Sequence, residues 1–452
     1  MRSIGFPAGN NSAPASAAGA LTGASGALAL VGASIWLRDW LQPNYIKALA
    51  VLAIAAAAMT LVELVVYRVH RNAGTGLSQV PLRRIDLHRI GRKLIGFWLC
   101  CGLAGALYWM IPAFAEAFFQ PFRKAALFLL PGLVAVAPFY VAYVDRRQHD
   151  PEDAYAQLGS LILGATSADW AALSAHMRGW AIKAFFLPLM FVFVTNDLSA
   201  FWSRPLLPTP LDFEHAFFPA ISALYLIDVS LAAIAYTLTL RILDSHIRSA
   251  EPTVGGWVVC LICYTPFNTV TGRFLPYDQD GLYWNAVFAP WPLLYVLWGS
   301  AILLLVAVYA WSTAAFGLRF SNLTNRGIIT AGPYRWSKHP AYISKNLSWW
   351  MISVPFIAGA GWPQAIQSCL LLGCVNLIYF ARARTEERHL RADPAYVAYS
   401  DFISRRGLIA LARSAVAEIG ARAHRHWLWG PSLGRSRERV PPDSVQGELE
   451  PR

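Results

Sequence analysis

Two clusters of residues able to do chemistry stand out of an otherwise apolar chain. The first runs through SNLTNRGIITAGPYRWSKHPAYISKNLSWW, residues 321–350, and the second through ARARTEERHLRADPAYVAYSDF, residues 381–402. In the first, Gly327, Gly332 and Pro333 turn the chain ahead of Lys338, His339 and Pro340, and Tyr342, Lys345 and Asn346 ride the opening turn of a helix. The residue before a proline is pushed out of helical geometry, while proline suits a first helical position. His339 is therefore expected near a cap, beside free backbone N–H groups that favour a carboxylate. In the second cluster Glu386 and Glu387 precede Leu390, and Tyr396 and Tyr399 follow. Taken singly, a His-Pro pair is an ordinary capped turn and two adjacent glutamates are an ordinary solvated helix end. Their joint occurrence is what points to a site: one cluster comes before and the other after a short apolar hairpin whose tight turn is AGAGWPQ, residues 358–364.

The elements that must position these clusters are membrane helices. Of 452 residues 56% are apolar and 14% charged, against roughly 25% charged in a soluble domain. A span needs about 20 mostly apolar residues, and such stretches are expected at 18–37, 46–67, 94–117, 124–144, 179–197, 214–240, 255–270, 286–314, 345–360 and 363–382. This predicts an all-α, polytopic transmembrane bundle of about ten spans. It excludes a secreted disulfide scaffold and a disordered chain. The net charge of +12 suggests an acidic partner at first sight, but with both termini placed in the cytoplasm 31 of the 38 Lys and Arg residues fall on inside segments and six on outside ones. That asymmetry is the signature of orientation, so no nucleic-acid partner is expected.

The expected organisation is a disordered lead at 1–17, an N-terminal transmembrane domain at 18–270 that binds substrate or partner, a second membrane domain at 271–410 holding both clusters, and a basic cytoplasmic tail at 411–452 lying along anionic lipid. Pro266 and Asn268 leave a re-entrant hairpin open for 255–270. Two helical segments, one opening at DPEDAYAQLG and one at SADWAALSAH after a possible Ser167 cap, read as an interfacial pair or a lid. Gly19 and Gly23 read as a close helix contact. The cysteines, including the Cys260 and Cys263 pair, sit in apolar runs without a second ligand pair, so packed thiols and no metal are expected. Among intramembrane charges, Glu63 lies near a membrane end, and Asp228 reads either as a structural pair or as a substrate contact.

The series GPYRWSKHPAY, an apolar hairpin, TEERHL and PAYVAY resembles the isoprenylcysteine carboxyl methyltransferase and phospholipid methyltransferase superfamily over roughly 285–410. The resemblance implies an integral membrane methyltransferase using S-adenosylmethionine. It would place Gly332, Tyr334, Lys338, His339, Tyr342 and Asn346 around the cofactor from the first cluster, with Glu386, Glu387 and Leu390 from the second. Tyr396 and Tyr399 would cover the adenosine. His339 and nearby backbone amides would hold the methionine carboxylate, a glutamate of the pair would accept from the ribose hydroxyls or, as Glu387, face the sulfonium, and Arg405 or Arg406 would sit near the acceptor. Independently of the resemblance, Asp228 and Trp349 are the residues expected on the substrate side. His389 is the one side chain named as a base, with a surface histidine as its alternative. The sequence departs from the family pattern where Lys338 replaces the usual Arg, where ADPA replaces a Gly-containing stretch, and where no proline follows Arg406.

The acceptor implied is a membrane lipid or lipid-linked molecule reached from the bilayer at the cytoplasmic face, in what the composition suggests is a bacterial inner membrane. An NADPH-dependent enzyme similar to the membrane sterol reductases shares the architecture, but Glu386 and Glu387 stand where an Arg-Asp pair is usual there. A transporter or scaffold on a degenerate enzyme fold is the third reading, and the sequence shows no evident inverted repeat of the kind that would support it.

Overall fold

Apolar runs punctuated by proline, glycine and capping carboxylates produce a chain whose described residues are mostly helical. The computed structural model describes residues 13–40, 42–205, 210, 212–414 and 416–418. In order the helices are α1 (Ala20–Trp36), α2 (Asn44–Leu61, running on into a π-helical turn at Val62–Val66), α3 (Leu87–Met110), α4 (Pro112–Ala115), α5 (Gln120–Arg147), α6 (Ala154–Ile162), α7 (Trp170–Trp202), α8 (Phe213–Thr237), α9 (Val254–Leu261), α10 (Asn268–Phe274), α11 (Trp284–Phe288), α12 (Pro292–Phe316), α13 (Pro340–Ser353), α14 (Trp362–Leu390) and α15 (Pro394–Arg406). Two short strands, β1 (Ser249–Ala250) and β2 (Thr324–Asn325), pair antiparallel.

Seven of these elements are long and apolar enough to cross a membrane: α2, α3, α5, α7, α8, α12 and α14 with their short extensions. The apolar α1 has 17 residues. Three of the ten expected spans are thus not among the long helices: one is the shorter α1, and the other two are interrupted for local reasons. The 255–270 stretch breaks into α9 and α10 around Pro266, which has no N–H to continue a helix. The 345–360 stretch belongs to α13, which starts early at Pro340 and stops after 14 residues, where Val354 adopts a left-handed conformation (φ 38°). At 1.5 Å per residue that is about 21 Å.

The expected interfacial pair is also redrawn. α6 begins as read, with Asp153 accepting from Ala156 N–H at 3.1 Å. The second member is instead the opening of α7, and its cap is Asp169, not Ser167, accepting from Ala172 N–H at 3.0 Å. Residues 14–17 fall in the lead expected to be disordered, yet they run along 328–330: Ala17 N–H donates to Ile328 O at 2.9 Å and Thr330 Oγ1 to Pro14 O at 2.6 Å. The tail expected at 411–452 lies mostly outside the described residues.

The main core joins both halves of the chain. Residues of α1, α2, α7 and α8 pack with Leu318, at the end of α12, in one buried cluster. Close approach of α1 to α12 rests on Gly23, where a Cβ would lie 1.9 Å from the Ala314 carbonyl oxygen. Because that neighbour is backbone, Gly23→Leu is expected to lower stability by at least about 2 kcal/mol, read as a fall in the unfolding temperature of the detergent-solubilised protein. An unchanged temperature would mean the helices do not meet there.

Candidate active site

α14 carries the second cluster into position by continuing two turns past the expected end of its span at 382, so that Arg382, Glu386 and Glu387 share one rigid helix. The first cluster reaches it through a sharply turned segment. After α12 the chain passes Gly327 (φ 113°) and Gly332 (φ 60°). A Cβ on Gly332 would sit 3.2 Å from Ala315 Cβ and 3.3 Å from Trp311 Nε1, so the left-handed turn there calls for glycine. A 3₁₀ turn at Gly332–Arg335 follows, and His339 occupies the N-cap position of α13. From α15, the Tyr399 hydroxyl donates to the carbonyls of Tyr334 at 2.8 Å and Ser337 at 3.1 Å, bracing that turn.

The two clusters meet directly. Tyr342 donates its hydroxyl to Glu386 Oε2 at 2.8 Å. Glu387 Oε1 takes Lys338 Nζ at 2.7 Å and His339 Nε2 at 3.0 Å, and its Oε2 lies 3.5 Å from Arg384. The His339 ring stacks on Tyr342, centroids 5.4 Å apart at 5°. Higher in the membrane-like part of the helices, Asn376 donates to Asn346 Oδ1 at 2.6 Å and accepts from Trp350 Nε1 at 2.7 Å, pinning α13 to α14.

Two adjoining cavities open beside this junction and share Ser321, Asn322, Tyr342, Arg382 and Glu386. The larger, about 610 Å³, is walled mainly by aromatic rings, including Tyr264, Tyr309, Tyr334 and Tyr379, with Lys338, His339 and Lys345 at its polar side. The smaller, about 360 Å³, is polar and adds Glu251, Thr324 and His389. The wall is completed by residues far away in sequence. Tyr264 follows α9, and Glu251 follows β1, where Glu251 N–H donates to Leu323 O at 2.8 Å. Asn322 is fixed by its N–H to Tyr236 Oη at 2.8 Å.

Most residues expected from sequence are brought together, in altered roles. Tyr334, Lys338, His339, Tyr342 and Glu386 line a cavity. Gly332 shapes the turn, Glu387 sits behind the lining as a hub for cations, and Asn346 ties helices together. Tyr396 and Tyr399 are buried in one apolar cluster with Tyr334, Leu390 packing against it, and line neither cavity. Burial raises the hydroxyl pKa of Tyr334, Tyr396 and Tyr399 above the usual phenol range. Trp349 lies beside the cavities, 5.3 Å from Lys345 Nζ, whose ammonium also faces the rings of Tyr309 and Tyr379. Asp228 is buried in α8 and hydrogen-bonded by Thr313, which lines the larger cavity. Arg405 is exposed at the end of α15, bonded to the Asp401 carbonyl at 3.2 Å, and lines neither cavity. His389 is not a surface residue: it is held between Ser249 Oγ at 2.9 Å and Glu251 at 3.8 Å.

Arg382, Asn322, Tyr264, Tyr309, Tyr379 and Glu251 were not singled out by sequence. For Arg382 a signal existed, since it precedes Glu386 by four residues and so shares its helix face.

The junction of a His-Pro helix start with a Glu-Glu helix end is the feature to compare with known proteins. Residues 293–392 match the model of the isoprenylcysteine carboxyl methyltransferase family. The matched part opens in α12 and closes just before α15, so it holds the first cluster and the Glu386–Glu387 part of the second, and leaves out Tyr396, Tyr399 and Arg405. It is narrower than the resemblance read from sequence. No curated protein and no solved structure gives a significant match. Together, the methyltransferase-family region and the seven long apolar helices support a membrane methyltransferase in broad terms. Within the matched region the lining combines aromatic faces, which suit a cation or an adenine ring, with the Glu386 carboxylate and the cations Lys338, Lys345 and Arg382. Among the described residues no group of His, Cys, Asp and Glu is arranged to hold a metal.

Proposed function

We propose that the protein is an integral membrane methyltransferase that uses S-adenosylmethionine to methylate a lipidic or lipid-linked acceptor at the cytoplasmic face. The observation that carries this reading is the junction of the two clusters on Glu386 and Glu387, beside two cavities that share a wall. A transfer between two bound molecules needs adjoining chambers that hold donor and acceptor in line and exclude water, and such positioning supplies much of the rate. When bound, the donor supplies an electrophilic methyl on sulfur. The chain's own part is to bind and orient. Tyr342 and Glu386 define the shared wall, the aromatic rings of the larger cavity shield it from water, and Lys338 and His339 are held still by Glu387. Entry of an amphiphile from the bilayer explains why the site is built between helices. The basic residues clustered near both motifs support the cytoplasmic orientation.

Isothermal calorimetry of the purified protein with S-adenosylhomocysteine tests the donor. Micromolar binding that weakens at least tenfold in both His339→Ala and Glu386→Ala is expected. Absence of binding, or binding insensitive to both substitutions, would refute the reading. Lipid extracts of cells with and without the gene, compared by mass spectrometry, should differ in a species heavier by one methylene.

A further inference from the structure

Arg382 is buried at 6% exposure and borders both cavities. Its guanidinium has only neutral partners. Asn322 Oδ1 lies at 2.5 Å and the Tyr264 hydroxyl at 3.3 Å, and the rings of Tyr342, Tyr264 and Tyr379 surround it at 5.2 to 5.9 Å. No carboxylate among the described residues forms an ion pair with it. Glu386, one helical turn on, gives its carboxylate to Tyr342 instead, and Glu387 is taken up by Lys338 and His339. Of the other deeply buried arginines, Arg319 faces Glu63 and Asp244, whereas Arg326 also has neutral partners but donates to three backbone carbonyls, those of Ser245, Ala235 and Phe320, and borders neither cavity.

A charge taken out of water needs a counter-charge. A guanidinium also presents a planar fork matched to carboxylate and phosphate oxygens. We infer that Arg382 is the oxyanion subsite of the paired cavities, binding the carboxylate or phosphate of a ligand whose cationic group faces Glu386 and Glu251. The subsite spans the two halves of the chain. Arg382 and Asn322 come from the family-matched region, whereas Tyr264 and Glu251 come from outside it, so the N-terminal helices complete the binding site. This deepens the methyltransferase reading and rests on it only for the choice of ligand. The ligand chemistry is a zwitterion, and it can come from the amino-acid end of the donor or from an aminoalkyl phosphate lipid headgroup.

The full-length protein in nanodiscs is titrated with four probes. They are S-adenosylhomocysteine, 5′-methylthioadenosine, which lacks the amino-acid end, a short-chain phosphatidylethanolamine, and the matching uncharged diacylglycerol. Wild-type protein should prefer the charged member of at least one pair by about tenfold or more. If the donor supplies the oxyanion, Arg382→Gln loses that preference between the nucleosides and leaves 5′-methylthioadenosine unchanged. If the lipid supplies it, the preference for the phosphate headgroup is lost and nucleoside binding stays. Arg382→Lys keeps the charge without the fork and should lie between wild type and Arg382→Gln. Phosphate preference with no nucleoside binding would overturn the methyltransferase reading and leave the subsite standing. A wild-type protein that prefers neither charged probe overturns the subsite without recourse to variants, as does a folded Arg382→Gln with wild-type affinities throughout.

Discussion

Glu387→Ala should lower methyl transfer by at least about a hundredfold, measured as label passed from S-adenosylmethionine into a lipid extract by isolated membranes. The reason is the number of groups this one carboxylate holds. Its side chain is 8% exposed and fixes Lys338 and His339 through a single oxygen, with Arg384 on the other. Removing it leaves two cationic or hydrogen-bonding groups of the cavity wall without their partner, and losing one side of a largely buried charged pair costs about 3–5 kcal/mol. A hundredfold in rate corresponds to about 2.7 kcal/mol, so even partial transmission of that loss to the reacting geometry suffices. Glu387→Gln keeps an acceptor at the same place and should fall between the two. Arg405→Ala, at an exposed position outside both cavities, should stay within about twofold of wild type. Retention of activity within threefold in Glu387→Ala would show that the junction of the clusters is structural only.

What the sequence disclosed follows from what short-range chemistry can encode. The proline at 340 fixes where α13 begins, so the cap position of His339 was legible, and Gly332 had to occupy a turn. The pairing of the two clusters was legible only as a motif combination, because nothing local says that Tyr342 reaches Glu386 or that His339 reaches Glu387. Span counting went astray where hydropathy and helix continuity part company. α13 is apolar but is cut off at Val354, and α7 continues through a stretch that polar residues made look separate. The residues missed altogether, Tyr264, Glu251 and Asn322, owe their place to the β1–β2 pairing and to Tyr236, contacts across 58 to 86 residues or more of chain. Arg382 was counted only as a charge marking the inside, when its burial makes it part of the site.

The largest expected effect on stability lies at Arg319, which lines neither cavity. It and Glu63 are almost wholly buried, at 0% and 1% side-chain exposure, 3.3 Å apart, with Asp244 3.6 Å away on the other side. Thr22 of α1 donates to the same Glu63 oxygen at 2.9 Å. Glu63 sits in the π-helical turn that ends α2, an irregularity that frequently marks a functional or strained position. Arg319→Met leaves Glu63 buried without a cation and is expected to destabilise the protein by about 3–5 kcal/mol. Adding Glu63→Gln should restore at least about 1 kcal/mol of that, since Asp244 keeps Arg248 at 3.2 Å and the uncompensated charge is gone; strict additivity of the two changes would exclude the coupling. Binding decides what the pair is for. Arg319 immediately precedes Phe320, which lines the larger cavity, and Ser321 and Asn322, which line both, so a shift of the ion pair that ties α1 and α2 to the end of α12 is expected to reach the cavity wall. Arg319→Met should therefore weaken S-adenosylhomocysteine binding several-fold at temperatures where the variant is still folded. A variant that melts early yet binds normally would assign the N-terminal helices a role in holding the bundle together and none in shaping the site at Asn322.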